Sequence, residues 1–144
     1  MDLTHARPLT GVVCTVLSLA AIVGLVTVFG PCDGSGAGGA HGALAVPSCV
    51  WAQRAMLGSA AVALVLSLVR TLELDEGERR GLDLGIALTA ALAALVPGTL
   101  VDLCADATMS CQAAMAPFGR AICALVALVA AVDLVRRLLA IRTR

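Results

Sequence analysis

The stretch at residues 9–29, "LTGVVCTVLSLAAIVGLVTVF", runs for 21 residues without a charge. A helix needs about 20 mainly apolar residues to cross roughly 30 Å of hydrocarbon, so this run predicts a transmembrane span. Three more follow it. Residues 51–69 are apolar except for Gln53 and Arg54 near the start, residues 84–101 carry no charge, and residues 115–135 carry only Arg120 and Asp133 near their two ends. The expected fold is all-α, an integral membrane bundle of four transmembrane helices built as two repeated hairpins. The helices should lie at approximately 9–30, 49–70, 83–103 and 112–140 of a single domain covering 1–144. Too little chain is left over for a soluble domain.

Composition agrees. Apolar residues make up 60% and charged ones 14%, with a mean hydropathy of +0.97, far from the globular mix in which about 25% are charged. The net charge is zero, and with two Phe, one Trp and no Tyr the chain lacks the stacking platforms of single-strand binders. Nucleic acid is therefore not an expected partner. The first run is longer than the roughly 7–15 residues of a signal-peptide core, and Pro31 before Cys32 is a poor lipoprotein context, so it is expected to remain as a helix.

The chain has ten arginines and no lysine, and the distribution of the arginines sets an expected orientation. Cytoplasmic flanks carry the excess of positive charge. With the N-terminus inside, Arg7, Arg70, Arg79, Arg80, Arg136, Arg137, Arg142 and Arg144 are cytoplasmic, against Arg54 and Arg120 outside. Both termini are thus expected in the cytoplasm, and "RTLELDEGERRGLD" at 70–83 reads as a short charged turn between helices two and three. Asp133 should pair along its helix with Arg136 and Arg137, three and four residues on.

The two hairpins share a plan. "FGPC" ends the first helix and "SCVWAQRAMLG" opens the second; "LVDLC" ends the third and "SCQAAMAPFGR" opens the fourth. Cys32, Cys49, Cys104 and Cys111 therefore fall at the outer face, an oxidising setting at a bacterial plasma membrane. Two disulfides are expected, Cys32 with Cys49 and Cys104 with Cys111; pairing across hairpins, Cys32 with Cys104 and Cys49 with Cys111, fits the repeat as well. Thiol exchange and soft-metal capture are the functional alternatives. Cys104, Met109, Cys111 and Met115 are soft enough for Cu(I), but redox catalysts carry a C-x-x-C pair, which this chain lacks. Cys14 and Cys123 sit at different depths within helices one and four and are expected to be small buried residues. The glycine-rich segment 34–39 formally matches G-x-G-x-x-G, but a membrane span precedes it and no helix follows. It reads as a spacer, and no metal site or cofactor is expected.

Counting about 20 residues from Arg70 and from Arg136 places Arg54 and Arg120 about one turn below the outer membrane edge, in the same layer as Asp102. These three form an expected membrane-edge charge network, with Asp106 and Asp33 as further candidate partners of the arginines and lipid phosphate reached by snorkelling as the alternative to direct pairing. Trp51 at the same edge is an expected interface anchor. On helix three, Gly81 and Gly85, Ala87 and Ala91, and Ala90 and Ala94 are four apart, a spacing that permits close helix approach.

"FGPC", "SCVWAQRAMLG", "VPGTLVDLC", and "MSC" with Pro117 six residues beyond Cys111 together resemble a family of small bacterial four-helix membrane proteins of unknown function. The resemblance covers residues 29–117 and rests on the four outer cysteines plus Trp51, Gln53, Gly58, Pro97, Met109 and Pro117. In that family a His often follows the second cysteine; here Val50 stands in its place, which weakens a metal role. The genes often lie beside ABC-type permeases, which implies a non-enzymatic accessory or interaction subunit, with the lipid bilayer and a permease or a second copy of the chain as partners. A looser likeness is to quinone-linked disulfide-forming enzymes, because Arg54 follows Cys49 closely; it implies a membrane thiol-disulfide oxidoreductase as the alternative. A copper-binding accessory is the further alternative.

Overall fold

A computed structural model describes residues 9–29, 48–72, 75–103 and 111–142. Four helices account for nearly all of them: α1 (Leu9–Thr27), α2 (Ser48–Arg70), α3 (Glu76–Leu95) and α4 (Ala116–Arg142). All four apolar segments are long enough to cross a membrane once wide turns at Val96–Leu100 and Cys111–Met115 are added to α3 and α4. The molecule is an all-α bundle, as its four apolar runs predict. Neighbours in sequence pack together, and α1 closes the ring against α4.

Polar contacts fix the helix directions. Gln53, near the start of α2, donates Nε2 to the Leu25 carbonyl near the end of α1 at 2.7 Å, while Thr15 donates to Ser67 Oγ at 3.1 Å near their other ends. Arg70 at the end of α2 meets Asp83 in the first half of α3, and Arg137 late in α4 meets Asp83 as well. Consecutive helices are therefore antiparallel. One end of the bundle carries the α1–α2 and α3–α4 connections (the hairpin end) and the other carries the chain termini (the termini end).

The core is made mostly of small side chains, with Leu25, Met56, Ile86 and Met115 as large members. On α1 the buried positions are Gly11, Cys14, Ser18, Ala21 and Leu25, and on α4 Ala116, Gly119, Cys123, Val126 and Ala130. This alternation of three and four keeps one seam facing the partner helices, as in left-handed bundles. Most of the large residues point the other way: Val12, Val16, Leu19, Val23 and Val26 on α1 are all about half exposed. Lipid tails are as apolar as leucine, so in a bilayer nothing drives the large side chains inward, while small ones allow the close approach that packing needs.

Helix three starts earlier than its apolar run suggests. The charged stretch after Arg70 is largely the first turns of α3 rather than a loop. Asp75 sits at the N-cap with extended backbone, and Glu78 reaches back to accept from the Asp75 N–H at 3.4 Å. This capping box satisfies backbone donors at the helix start, and acids there suit the dipole. At its other end α3 stops at Leu95, before Pro97, whose ψ of 117° is no longer helical. Val101 N–H then spans five residues to the Val96 carbonyl at 3.0 Å, and Gly98 takes a φ of 79°.

The expected small-residue seam on α3 is only partly used. A side chain at Gly81 would meet nothing within 4 Å, and one at Gly85 would only touch Leu66. The tight approaches are at Gly24, facing the Phe118 ring, and at Gly119, facing the tip of Met56. Phe118 in turn stacks on Phe29 with ring centroids 4.2 Å apart, which joins α4 to the end of α1.

Candidate functional site

Charge inside the bundle is concentrated at the termini end. Arg70 is 5% exposed and Asp83 fully buried. Arg70 pairs with both Asp83 and Asp133. Arg137 completes the group, its Nε lying 3.0 Å from Asp133 Oδ2 and 3.6 Å from Asp83 Oδ2. Two cations and two anions thus tie α2, α3 and α4 into one neutral quartet. Asp133 does pair with Arg137 as its spacing predicts, but its other partner is Arg70, from a different helix, and Arg136 is exposed. Arg70 and Asp83 were not singled out in the sequence because they bracket a segment that reads as a solvated turn. A signal was present: Arg70 continues the buried register of Met56, Ala60, Ala63 and Ser67, and Asp83 begins that of Ile86, Ala90 and Ala93.

Above the quartet the interior is nearly filled. Ser18, Ala60, Ala63, Ala90, Ala93 and Cys123 bound a cavity of about 10 Å³, room for a single water at most. Toward the hairpin end Leu25, Cys49, Ala52, Met56, Cys111 and Met115 form one fully buried cluster. Cys49 and Cys111 thus come from both hairpins into the same core, although no two cysteines among the described residues are at bridging distance. Cys32, Asp33, Cys104, Asp106 and Met109 lie outside the described residues, as does the glycine-rich segment 34–39. Each within-hairpin pairing therefore has one member there. Cys14 and Cys123 are buried, as their placement in the helices predicts. Among the described residues no group of three His, Cys, Asp or Glu is arranged to hold a metal.

The three charges of the expected membrane-edge network are placed as follows. Arg54 is exposed and its guanidinium carbon lies 5.6 Å from the centre of the Trp51 ring, a cation–π contact on a tryptophan that is 57% exposed. Arg120 donates through Nη2 to the Pro97 carbonyl. It lines a pocket of about 400 Å³ together with Asp102, Gln112, Gly98 and Pro117. Asp102 and Arg120 are thus brought together, though not as an ion pair, and Arg54 is not part of that pocket. Gly98 has a local reason: its φ of 79° is unfavourable for other residues, and a Cβ there would stand 2.7 Å from Arg120 Nη2. A common device links the hairpins, since in each a polar side chain near the start of the second helix covers a carbonyl at the end of the first. Gln53 does so for Leu25 and Arg120 for Pro97.

Four apolar antiparallel helices with a small-residue core and an internally neutralised charge quartet define a multi-pass membrane protein of the helical-bundle class. Residues 10–136 match the family described as Domain of unknown function (DUF4418), and the chain belongs to that family. No curated protein and no solved structure matches it.

Proposed function

We propose that this protein is a non-enzymatic accessory or interaction subunit of a membrane complex such as an ABC-type permease, set in a bacterial plasma membrane with both termini cytoplasmic. The observation that supports this reading is the filled interior. Among the described residues the space between the helices at mid-depth amounts to about 10 Å³, and the charge quartet lies below it, which favours a packed bundle over a solute path. Action on other molecules then falls to the lipid-facing sides and the hairpin end. The oxidoreductase alternative is disfavoured because Cys49 and Cys111 are both fully buried, where a thiol is shielded from attack. Within this reading the outer cysteines act as staples, Cys32 with Cys49 and Cys104 with Cys111.

The test is purification of a tagged copy, expressed at its native level, in mild detergent. Stoichiometric recovery of a second membrane protein is the expected result. Recovery of this chain only, as a monomer or homo-oligomer, counts against the subunit reading.

A further inference from the structure

The pocket at the hairpin end carries more chemistry than a passive subunit needs. Its volume of about 400 Å³ lies within the roughly 300–1,000 Å³ typical of small-molecule sites. Two of its lining side chains are charged and of opposite sign, Asp102 and Arg120. Arg120 is held in place by the Pro97 carbonyl, which the non-helical turn at Pro97 and Gly98 presents to it. That carbonyl positions the guanidinium without neutralising it. Asp102 is exposed and forms no ion pair with Arg120 or any other described residue. Among the described residues nothing neutralises either charge, so the pocket offers a cation and an anion within the reach of one small molecule.

Depth restricts what that molecule is. Along α4, Arg120 lies 13 residues from Asp133 of the quartet, about 20 Å at 1.5 Å per residue. From just below the membrane edge the Arg120 guanidinium reaches the phosphate and amine groups of lipid heads by snorkelling. We propose that it binds a phosphate-bearing zwitterion, the phosphate on Arg120 and a primary ammonium on Asp102. Phosphatidylethanolamine is one source of that chemistry and free phosphoethanolamine is the other. A purely anionic lipid satisfies Arg120 but gives Asp102 nothing.

Native mass spectrometry of the detergent-purified full chain tests this with phosphatidylethanolamine and phosphatidylglycerol as titrants and phosphoethanolamine as competitor. The parent protein should prefer phosphatidylethanolamine. Asp102→Asn, at an exposed side chain outside the helices, should weaken that lipid about tenfold, the factor that corresponds to losing one charge-assisted hydrogen bond, and leave phosphatidylglycerol unchanged. Asp102→Lys should reverse the preference. If millimolar phosphoethanolamine displaces the lipid, with the same dependence on Asp102, the ligand is the soluble zwitterion; if it does not, the ligand is the lipid. Equal binding of the two lipids by the parent, or a preference that survives Asp102→Asn, overturns the proposal.

Discussion

Asp83 is fully buried in a helix that faces lipid on its other side, and a carboxylate there persists only because Arg70 and Arg137 surround it. Taking an ion out of water costs several kcal/mol, and a neutral group of two cations and two anions offsets that cost only while all members are present. Asp83→Asn leaves a net positive charge buried between α2 and α4. It is expected to destabilise the bundle by about 3–5 kcal/mol, the usual cost of removing one partner of a buried pair. Adding Arg70→Gln restores neutrality, so the double variant should lose less than the sum of the two singles. Unfolding in mixed detergent, followed by the fluorescence of the only tryptophan, Trp51, gives both numbers. If Asp83→Asn costs nothing, the quartet is not acting as a buried unit. The composition of the segment hid this group. Acids and arginines close together in a short connection read as solvated, and only the three-and-four spacing with Ile86 and Ala90 shows that Asp83 faces inward.

Among the helices, existence and approximate span follow directly from hydropathy, since four long apolar runs, with charge only near their ends, have no other stable solution in 144 residues. The ends do not follow as directly. The start of α3 depends on the Asp75–Glu78 capping box, which lies outside the apolar run, and the early stop at Leu95 depends on Pro97. Contact between helices was least legible, because small residues four apart are frequent in an alanine-rich chain. The structure separates those that are used from those that are not. A Cβ at Gly24 would stand 2.5 Å from Phe118 Cζ, and that ring is held by stacking on Phe29. Gly24→Ala should therefore destabilise by about 1–3 kcal/mol, the usual range for overpacking, even though alanine is the better helix former by about 1 kcal/mol. Phe118→Leu should relieve much of that cost. Gly81→Ala, with open space around it, should be neutral or stabilising by up to about 1 kcal/mol. Thermal midpoints of the four proteins measured side by side decide it, and equal losses at Gly24 and Gly81 would mean that the contact with Phe118 is not what matters.

For the molecule as a whole, sequence located the pieces of the hairpin end but not their partnership. Arg120 and Asp102 stand out as charges near membrane edges, yet only the turn at Pro97 and Gly98 explains why Arg120 is anchored on a backbone carbonyl rather than on Asp102. Orientation remains an argument from charge. Arg70, Arg79, Arg80, Arg136, Arg137 and Arg142 all belong to the termini end, whereas Arg54 and Arg120 belong to the hairpin end. Arg70 and Arg137 are neutralised by the quartet's two carboxylates in the folded protein, but orientation is set during insertion, when each arginine still counts in full and acids contribute little. The bias therefore holds, and the hairpin end is expected on the extracytoplasmic side. In the proposed orientation the hairpin end faces an oxidising compartment, and the Asp102–Arg120 pocket opens on the outer leaflet. In a background without native cysteines, an impermeant maleimide should label Ser35→Cys in intact cells and should reach Thr71→Cys only after permeabilisation. The opposite pattern would place the pocket on the cytoplasmic leaflet and the hairpin end in a reducing compartment, leaving the proposed disulfide staples without the oxidising conditions they need.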